Sequence, residues 1–581
     1  MNIDKYNLKE MLEKLEHNEY LLPSIQRKFV WDEKQITNLM DSLMLGYPIG
    51  TILAWQENAN APITNKYYKF LTEVNLGEPF TLNSVASASL NQNCVLILDG
   101  QQRLTSLNIS FNGKIKQKGN KADKFLYFNY NKPVTSNKTN FNVKCFEFKF
   151  MTDNKGINEN WFKVSDIFDP AVVSDIINET NYSTRQLANL KRLKEVVYDD
   201  QAFVVCTMPS GSSVYDILSI FSRLNNGGTP LSNHNLIFSV ISSHLPNART
   251  NIDTLLEQIN KNGFRFMIDY VMKVALCTGG KSINMKVENF TQADAKDIDK
   301  RWEPLSRSIE LTVTELLSKK LGMNKKHIIS ENAIVPVNFY IYQRLVEKYA
   351  NQKGTKRKNF NQYKLSDVIN DDEIKEIRRY LAVSQLNKLF ISKTDRVVDS
   401  LCKFIEDNIQ KDFTFDTIKN WKWNDDERTM NVDEKFIDKL FEFKQGSSEA
   451  FLALSLLYED QDFSKLSVDQ DHLHPKTLFQ GKKFESIFSG LNDDDKQKCK
   501  KEYNLLANLH FLESGDNKTK NKTPLQEWIR ASYNFAKVKC LPFKKEAEQG
   551  KFDNFDVLKF LDFIKERKTL MRKEYKRILG I

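Results

Sequence analysis

One stretch of the sequence carries side chains that could cut a phosphodiester bond at neutral pH. Asp471 and His472 are adjacent, and Asn508 and Asn517 follow, nine residues apart. A neutral imidazole can take a proton from water, while a carboxylate and amide oxygens can hold a hard divalent cation. Three of the seven histidines fall in this stretch, at positions 472, 474 and 510. These residue types predict hydrolysis assisted by a bound cation.

The residues around this stretch indicate how it is positioned. On an extended strand Asp471 and His472 project to opposite faces, and Pro475 ends the strand. A following hairpin and helix would bring Asn508 and Asn517 back to the same place. The apolar anchor for this return is a set of leucines at positions 505, 506, 509 and 512.

The stretch resembles the HNH, or ββα-metal, nuclease finger, whose signature is D-H-I-x-P, then N-x-x-x-L, then N with a basic run and a proline. Here the corresponding segments are D-H-L-H-P at 471–475, N-L-H-F-L at 508–512, N-K at 517–518 and the proline at 524. The resemblance implies that His472 is the general base and that Asn508 orients its ring. It implies that Asp471 and Asn517 bind Mg²⁺ or Mn²⁺, and that Lys518 touches the scissile phosphate.

Two further histidines of the stretch have other expected roles. His474 occupies the variable position of the motif and is not expected to be catalytic, and His510 is expected to be structural. Asn508 follows His472 by 36 positions, a longer interval than in minimal fingers. An insertion within the hairpin would explain the interval.

A second cluster, Asp99-Gly100-Gln101-Gln102-Arg103, could bind an anion. The apolar run CVLIL before it predicts a buried strand, and QQRLTSLNISF predicts a helix that begins directly after Gly100. A helix start presents backbone N–H groups and a favourable dipole to an anion. Gly100 allows close approach of a phosphate, Arg103 can bind it through two hydrogen bonds, and the glutamines can bind a ribose, a base or water. The alternative is a plain turn with a solvated arginine.

The segment LDGQQRLTS resembles the DGQQR motif of a prokaryotic family with a ParB/sulfiredoxin-like N-terminal domain. The segments SIQRKFVW, LMLGYPIGTILAW and IFSRLNNGGTPLS agree with it. This family commonly joins the domain to an HNH domain, as in the GmrSD type IV restriction enzymes and the SspE nucleases. The resemblance implies a nucleotide-processing centre made of Asp99, Gln102 and Arg103. The residues expected around that centre are Gly100, Gln101, Gln26, Arg27, Asn225 and Gly228.

The length of the chain predicts several domains, and its strand and helix patterns predict an α+β fold that is rich in helices. The chain has 581 residues, of which 41% are apolar and 28% charged, so it is too long for one core. The two resemblances, with the mostly helical pattern between them, imply a ParB/sulfiredoxin-like nucleotide-processing and sensor domain at 1–240, a helical middle domain at 241–440 and an HNH domain at 441–581. No apolar run approaches the ~20 residues of a membrane span. The first twenty residues suggest an amphipathic helix rather than a signal peptide, so a cytoplasmic protein is expected.

Taken together, the two resemblances imply an NTP-regulated, modification-dependent DNA endonuclease of prokaryotic anti-phage defence. The expected partners are DNA, in particular modified phage DNA, and a nucleoside triphosphate; GTP, ATP, UTP and CTP are not distinguished. A net charge of +10 permits a polyanionic partner. The oligomeric state stays open, and a homo-oligomer is allowed. Two alternatives are a nucleotide-switched DNA-binding or assembly protein and an NTPase without nuclease activity.

Overall fold

The fold is taken from a computed structural model, which divides the chain into two compact units. One unit contains residues 1–253 and 286–299, and the other contains residues 254–285 and 300–581. The residues that the structure describes are 2–23, 29–56, 67–76, 81, 83–86, 95–117, 120–134, 145–153, 160–209, 234, 237–238, 240–241, 245, 247–286, 289–352, 358–391, 394–408, 412–422, 429–463, 468–532 and 538–581.

The first unit is built on a six-stranded mixed sheet with the strand order β1-β11-β3-β6-β2-β4. Its strands are β1 (Asn2–Tyr6), β2 (Tyr20–Pro23), β3 (Ile52–Gln56), β4 (Tyr67–Tyr68), β6 (Val95–Asp99) and β11 (Phe203–Met208). Strand β6 lies inside the sheet, antiparallel to β3 and parallel to β2. A strand that is paired on both sides and covered on both faces needs apolar residues at consecutive positions, and the sequence has such a run directly before Asp99.

A second, five-stranded sheet in this unit has the order β10-β8-β7-β5, with β9 paired to β8. Its strands are β5 (Glu73–Asn75), β7 (Lys114–Gln117), β8 (Asn120–Asn129), β9 (Phe148–Met151) and β10 (Trp161–Lys163). The helices of the unit are α1 (Leu8–Glu16), α2 (Glu33–Met44), α3 (Gln101–Asn112), α4 (Pro170–Asn178) and α5 (Thr184–Tyr198), with a 3₁₀ turn at Val164–Phe168.

Local sequence signals explain where two of these helices begin. The side chain of Asp32 accepts a hydrogen bond from the backbone N–H of Gln35, and the Gln35 side chain accepts one from the Asp32 N–H, so a capping box starts α2. Helix α3 follows β6 through Gly100 alone, whose φ of +96° favours glycine. The turn at Gly100 places the segment 99–103 at the carboxyl end of β6.

The second unit is mainly helical. Helices α6 (Ala248–Asn260) and α8 (Gln292–Lys300) each contain residues of both units. The other helices of the second unit are α7 (Ile268–Thr278), α9 (Trp302–Glu310), α10 (Val335–Ala350), α11 (Leu365–Val368), α12 (Asp371–Leu386), α13 (Thr394–Asn408), α14 (Phe415–Ile418), α15 (Glu434–Leu440), α16 (Ser448–Leu457), α17 (Gly481–Ile487), α18 (Asp493–Glu502), α19 (Ser514–Lys520), α20 (Leu525–Ser532), α21 (Lys544–Glu548) and α22 (Phe560–Leu579). A π-helical segment, Leu311–Lys320, continues α9, and short 3₁₀ turns lie at Lys325–His327, Glu331–Ala333, Phe360–Gln362, Lys476–Phe479, Leu506–Asn508, Asp553–Phe555 and Val557–Lys559.

Helix α16 lies at the centre of this unit. All its residues from Ala450 to Leu457 are buried, and it packs against both α12 and α22. A helix that is apolar on every face must be covered on every face. The predicted boundary at 440 therefore falls inside one packed unit, and the division into three domains stays a prediction.

Two strands of the second unit form a separate antiparallel pair. Strand β12 (Val468–His472) pairs with β13 (Leu509–Glu513), with His472 opposite Leu509, and α19 follows β13 directly and packs against both strands. The long interval between the strands contains α17 and α18. The predicted insertion is thus a pair of helices.

The α+β, helix-rich class predicted from the sequence is confirmed, and one local prediction is corrected. Residues 2–6 form a strand, not the start of a helix, because they pair with β11. In the part of the chain that the structure describes, no helix has both the length and the apolar character needed to cross a membrane.

We predict that Gly113→Ala destabilises the first unit. Gly113 ends α3, and a Cβ there would lie 1.9 Å from the carbonyl oxygen of Thr72, so backbone must shift. We expect a loss of about 1–3 kcal/mol in the free energy of unfolding, measured by urea denaturation. Gly490→Ala is the control, because its Cβ would have no atom within 4 Å; equal stability of both variants would contradict the prediction.

Candidate functional site

His472 ends strand β12 and is held by a residue that the sequence did not single out. Its Nε2 lies 3.0 Å from Oδ1 of Asn504, which precedes β13. An amide oxygen only accepts, so Nε2 carries the proton and Nδ1 keeps its lone pair. No described residue hydrogen-bonds Nδ1. Burial lowers the pKa of His472, and the bond to Asn504 opposes this only in part. The imidazole is therefore neutral at neutral pH and able to accept a proton.

Asp471 lies beside His472 and points toward the other face of the strand. Its Oδ2 accepts hydrogen bonds from Nζ of Lys520 at 2.6 Å and from Nε2 of His510 at 3.3 Å. Burial by itself would raise the pKa of Asp471, but the His510 hydrogen bond and the Lys520 charge outweigh burial and hold the pKa below its usual range. The carboxylate is ionised, and both partners bind the same oxygen.

Lys520 is the last residue of α19, and its side chain is 1% exposed. Besides Asp471, its ammonium contacts the backbone carbonyl of His472 and lies 5.4 Å from the ring centroid of Trp528. Burial lowers the pKa of Lys520, while Asp471 acts in the opposite direction. A positive charge thus already lies against the carboxylate that was predicted to bind a cation.

Asn517, the second predicted cation ligand, lies one helical turn before Lys520. Its Nδ2 donates to Oδ2 of Asp469 at 3.2 Å. Asp469 and Asp471 share one face of β12, since strand residues two apart point the same way. Two residues of α19 therefore contact two carboxylates of β12. Lys518 lies in the same helix, but its side chain is outside the described residues.

The predicted contact from Asn508 to the His472 ring needs correction. The Asn508 side chain accepts from the backbone N–H of His474 and donates to the carbonyls of His474 and Tyr503, at 3.0, 3.0 and 2.7 Å. Both amide protons are thereby used on backbone, so none is left for the ring. Asn508 is fully buried and holds the loop that follows His472, while Asn504 contacts the ring.

His474 and His510 are fully buried. Burial lowers the pKa of His474 to about 3 and that of His510 to about 4. The His474 ring packs edge-on against Phe560 and Phe563 of α22, and neither of its nitrogens has a hydrogen-bond partner among the described residues. His474 therefore belongs to the core, whereas His510 positions Asp471.

Asp471 and Asn517 each keep an oxygen of the type that a hard divalent cation prefers. Asp471 is bound through Oδ2 and Asn517 through Nδ2, so one oxygen of each is left for a ligand. Mg²⁺ commonly binds through one or two protein oxygens and keeps several waters. Within the described ranges, no group of three or more His, Cys, Asp and Glu side chains forms a metal cluster. A site here would thus rely on water or substrate oxygens.

In the first unit, Arg103 binds protein atoms rather than pointing outward. Its guanidinium donates to the carbonyls of Ile49 and Thr51, at 2.5 and 3.0 Å, and to Oδ2 of Asp99 at 3.1 Å. Burial lowers the pKa of Arg103, and Asp99 counteracts this. Arg103 therefore joins the end of β6 to the loop before β3.

The neighbours of Arg103 are also tightly placed. Gln102 accepts a hydrogen bond from the backbone N–H of Val30 at 2.9 Å, and Gln101 is buried. A Cβ at Gly100 would lie 3.0 Å from Ile52, so the turn is closely packed. The other residues predicted to surround this centre lie outside the described residues; they are Gln26, Arg27, Asn225 and Gly228.

Residues 8–242 match the family model described as the GmrSD restriction endonuclease, N-terminal domain. The match covers the segment 99–103 and leaves the strand pair β12–β13 outside. An uncharacterized protein of Methanocaldococcus jannaschii, MJ0686, is 36% identical over 105 residues. That alignment covers 18% of this chain and 16% of the relative, so the likeness is local.

We predict that His474→Leu weakens the pH dependence of stability. Below pH 6.5 the unfolded chain protonates this imidazole, while the folded chain does so only near pH 3. Folding stability therefore rises with pH across this window, by up to ~1.4 kcal/mol per pH unit from this residue. Urea unfolding from pH 4 to 8 should show a smaller slope in His474→Leu than in wild type. His17→Leu, at an exposed position, is the control; an unchanged slope in His474→Leu would contradict the assignment.

Proposed function

We propose that the chain is a restriction-type DNA endonuclease that uses a divalent cation and is regulated by a nucleoside triphosphate. The observation that carries the proposal is the hydrogen bond between His472 and Asn504, which fixes a neutral imidazole with one nitrogen open for a proton. The adjacent Asp471 is ionised, and Lys520 and His510 hold its carboxylate in place. The strand pair with its following helix supports an HNH-type finger, and the match of residues 8–242 supports restriction of DNA.

The proposed chemistry assigns one task to each side chain. Nδ1 of His472 takes a proton from the attacking water, whose oxygen bonds to phosphorus as the bond to the leaving oxygen breaks. Asp471 and Asn517 would hold Mg²⁺ or Mn²⁺. When bound, the cation would stabilise the charge of the leaving oxygen. Asn508 keeps the loop after His472 in place, and Lys520 and His510 keep Asp471 oriented.

The proposed nucleotide centre is the segment Asp99–Arg103. A nuclease that cut any DNA would also cut that of its host, so cleavage requires a gate. The β6–Gly100–α3 turn offers a helix start next to an arginine, and the family match includes it. A bound nucleotide would have to compete with Asp99 and the loop carbonyls for Arg103. If a nucleotide displaces these partners of Arg103, the loop of residues 49–51 loses its contacts with Arg103 and can change its conformation.

The substrate in this proposal is modified phage DNA.

We predict that His472→Ala abolishes strand cleavage. Loss of a general base costs about 10²–10⁴-fold in rate. The assay mixes purified protein with modified and unmodified phage DNA, Mg²⁺ and each NTP, and counts nicks. His474→Leu is the control and should keep cutting. Unchanged nicking by His472→Ala would end the nuclease assignment.

In the wild type, the rate of strand cleavage should fall with acidity only below pH 6.5, because the pKa of His472 is lowered and the neutral form is the active one.

We predict that Arg103→Ala removes NTP turnover and the NTP dependence of cleavage. The variant loses the group that binds Asp99 and the loop of residues 49–51. Phosphate release and nicking are measured in parallel, with Arg185→Ala, an exposed arginine of α5, as the control and circular dichroism as a check of folding.

The two variants together separate the candidate functions. His472→Ala should keep NTP turnover, which places cleavage and turnover at different centres. Turnover by the wild type without any strand breakage would favour an NTPase. Nucleotide-dependent DNA binding with neither activity would favour a switched DNA-binding or assembly protein. Wild-type turnover in Arg103→Ala would move the nucleotide centre elsewhere.

A further inference from the structure

Two parallel polar contacts connect α19 to β12. Asn517 donates to Asp469, and Lys520 donates to Asp471. The carboxylates are two residues apart on the strand, and their partners are three residues apart on the helix, so both contacts lie on one face of each element. The Lys520–Asp471 pair is largely buried, whereas Asp469 is exposed. The outer contact is therefore the one open to solvent.

The outer contact decides which atom Asn517 presents to a ligand. A primary amide has a donating nitrogen and an accepting oxygen on opposite sides of one carbon. Because the carboxylate of Asp469 accepts only, it selects the nitrogen of Asn517. The oxygen then faces away from Asp469. A cation needs that oxygen, since the amide nitrogen is not a ligand for hard cations.

We propose that Asp469 is a positioning residue that turns the amide oxygen of Asn517 toward the divalent cation. This inference rests on the proposed function, because Asn517 is the cation ligand of that proposal. Residues that hydrogen-bond metal ligands fix ligand orientation, and their loss typically costs 10–100-fold in metal affinity. Asp469 acts through its acceptor oxygen and not through its charge.

The roles of charge and hydrogen bond are separable by two substitutions at one position. Asp469→Asn removes the negative charge but keeps an acceptor oxygen that can hold the Asn517 nitrogen. Asp469→Ala removes both. If Asp469 attracted the cation by its negative charge, both variants would lose affinity. Asp494→Ala, at an exposed carboxylate of α18, removes one negative charge elsewhere and is the matched control.

The experiment measures Mn²⁺ binding to the full chain without DNA, by electron paramagnetic resonance of the free ion. It also measures the Mn²⁺ concentration for half-maximal cleavage. We expect Asp469→Ala to weaken binding 10–100-fold and to raise the half-saturating Mn²⁺ by the same factor, with the rate at saturation within about twofold of wild type. Asp469→Asn and Asp494→Ala should bind within about threefold of wild type. Urea unfolding without metal checks that each variant is folded.

Each other outcome is informative. Wild-type affinity in Asp469→Ala would overturn the inference while leaving the nuclease proposal intact. Equal weakening in Asp469→Asn and Asp469→Ala would overturn the positioning role in favour of a role for the negative charge. A wild-type chain that neither binds Mn²⁺ nor cuts would remove the proposed function itself.

Discussion

The buried ion pair between Lys520 and Asp471 is the interaction on which the candidate nuclease site depends. Lys520 is 1% exposed and also binds the backbone carbonyl of His472, so it joins the end of α19 to the last two residues of β12. Removing one partner of such a pair leaves an uncompensated buried charge, which costs about 3–5 kcal/mol. The pair therefore fixes the helix that carries Asn517 against the strand that carries Asp471 and His472.

The rest of the site follows from satisfying buried polar groups around that pair. The Asn508 side chain accepts a hydrogen bond from the backbone N–H of His474 and donates one to the His474 carbonyl. These two bonds continue the backbone pairing of β12 and β13 beyond the end of β12. From the other side, the fully buried Arg567 of α22 donates to the carbonyl of Ala507, the residue before Asn508. A buried carbonyl or amide without a partner is costly, so these contacts specify one loop path. The position of His472 thus depends on buried residues of the neighbouring loop and of α22.

Local sequence patterns predicted much of the fold. The sequence predicts strand β6 and helix α3 because an apolar run ends just before Asp99-Gly100 and a helical pattern follows at once. The sequence predicts Asp471 and His472 as site residues because their motif is contiguous. It does not predict the Asn504 contact, because two helices separate Asn504 from His472 along the chain. Lys520 was one lysine among many, and only tertiary packing shows its burial. The spacing of four residues does indicate the contacts between α19 and β12: Asp469 and Asp471 lie two apart, as on one face of a strand, and Asn517 and Lys520 lie three apart, as on one face of a helix.

The two helices between β12 and β13 have a consequence for how the protein acquires its fold. A tight hairpin closes locally, whereas these strands pair across roughly forty residues, with His472 opposite Leu509. Closing a longer loop costs more chain entropy and delays contacts between distant residues. Formation of α17 and α18 shortens the path between the two strands, so we expect the contacts around His472 to form late in folding. A nascent or partly unfolded chain therefore lacks the assembled surroundings of His472, including its contact with Asn504.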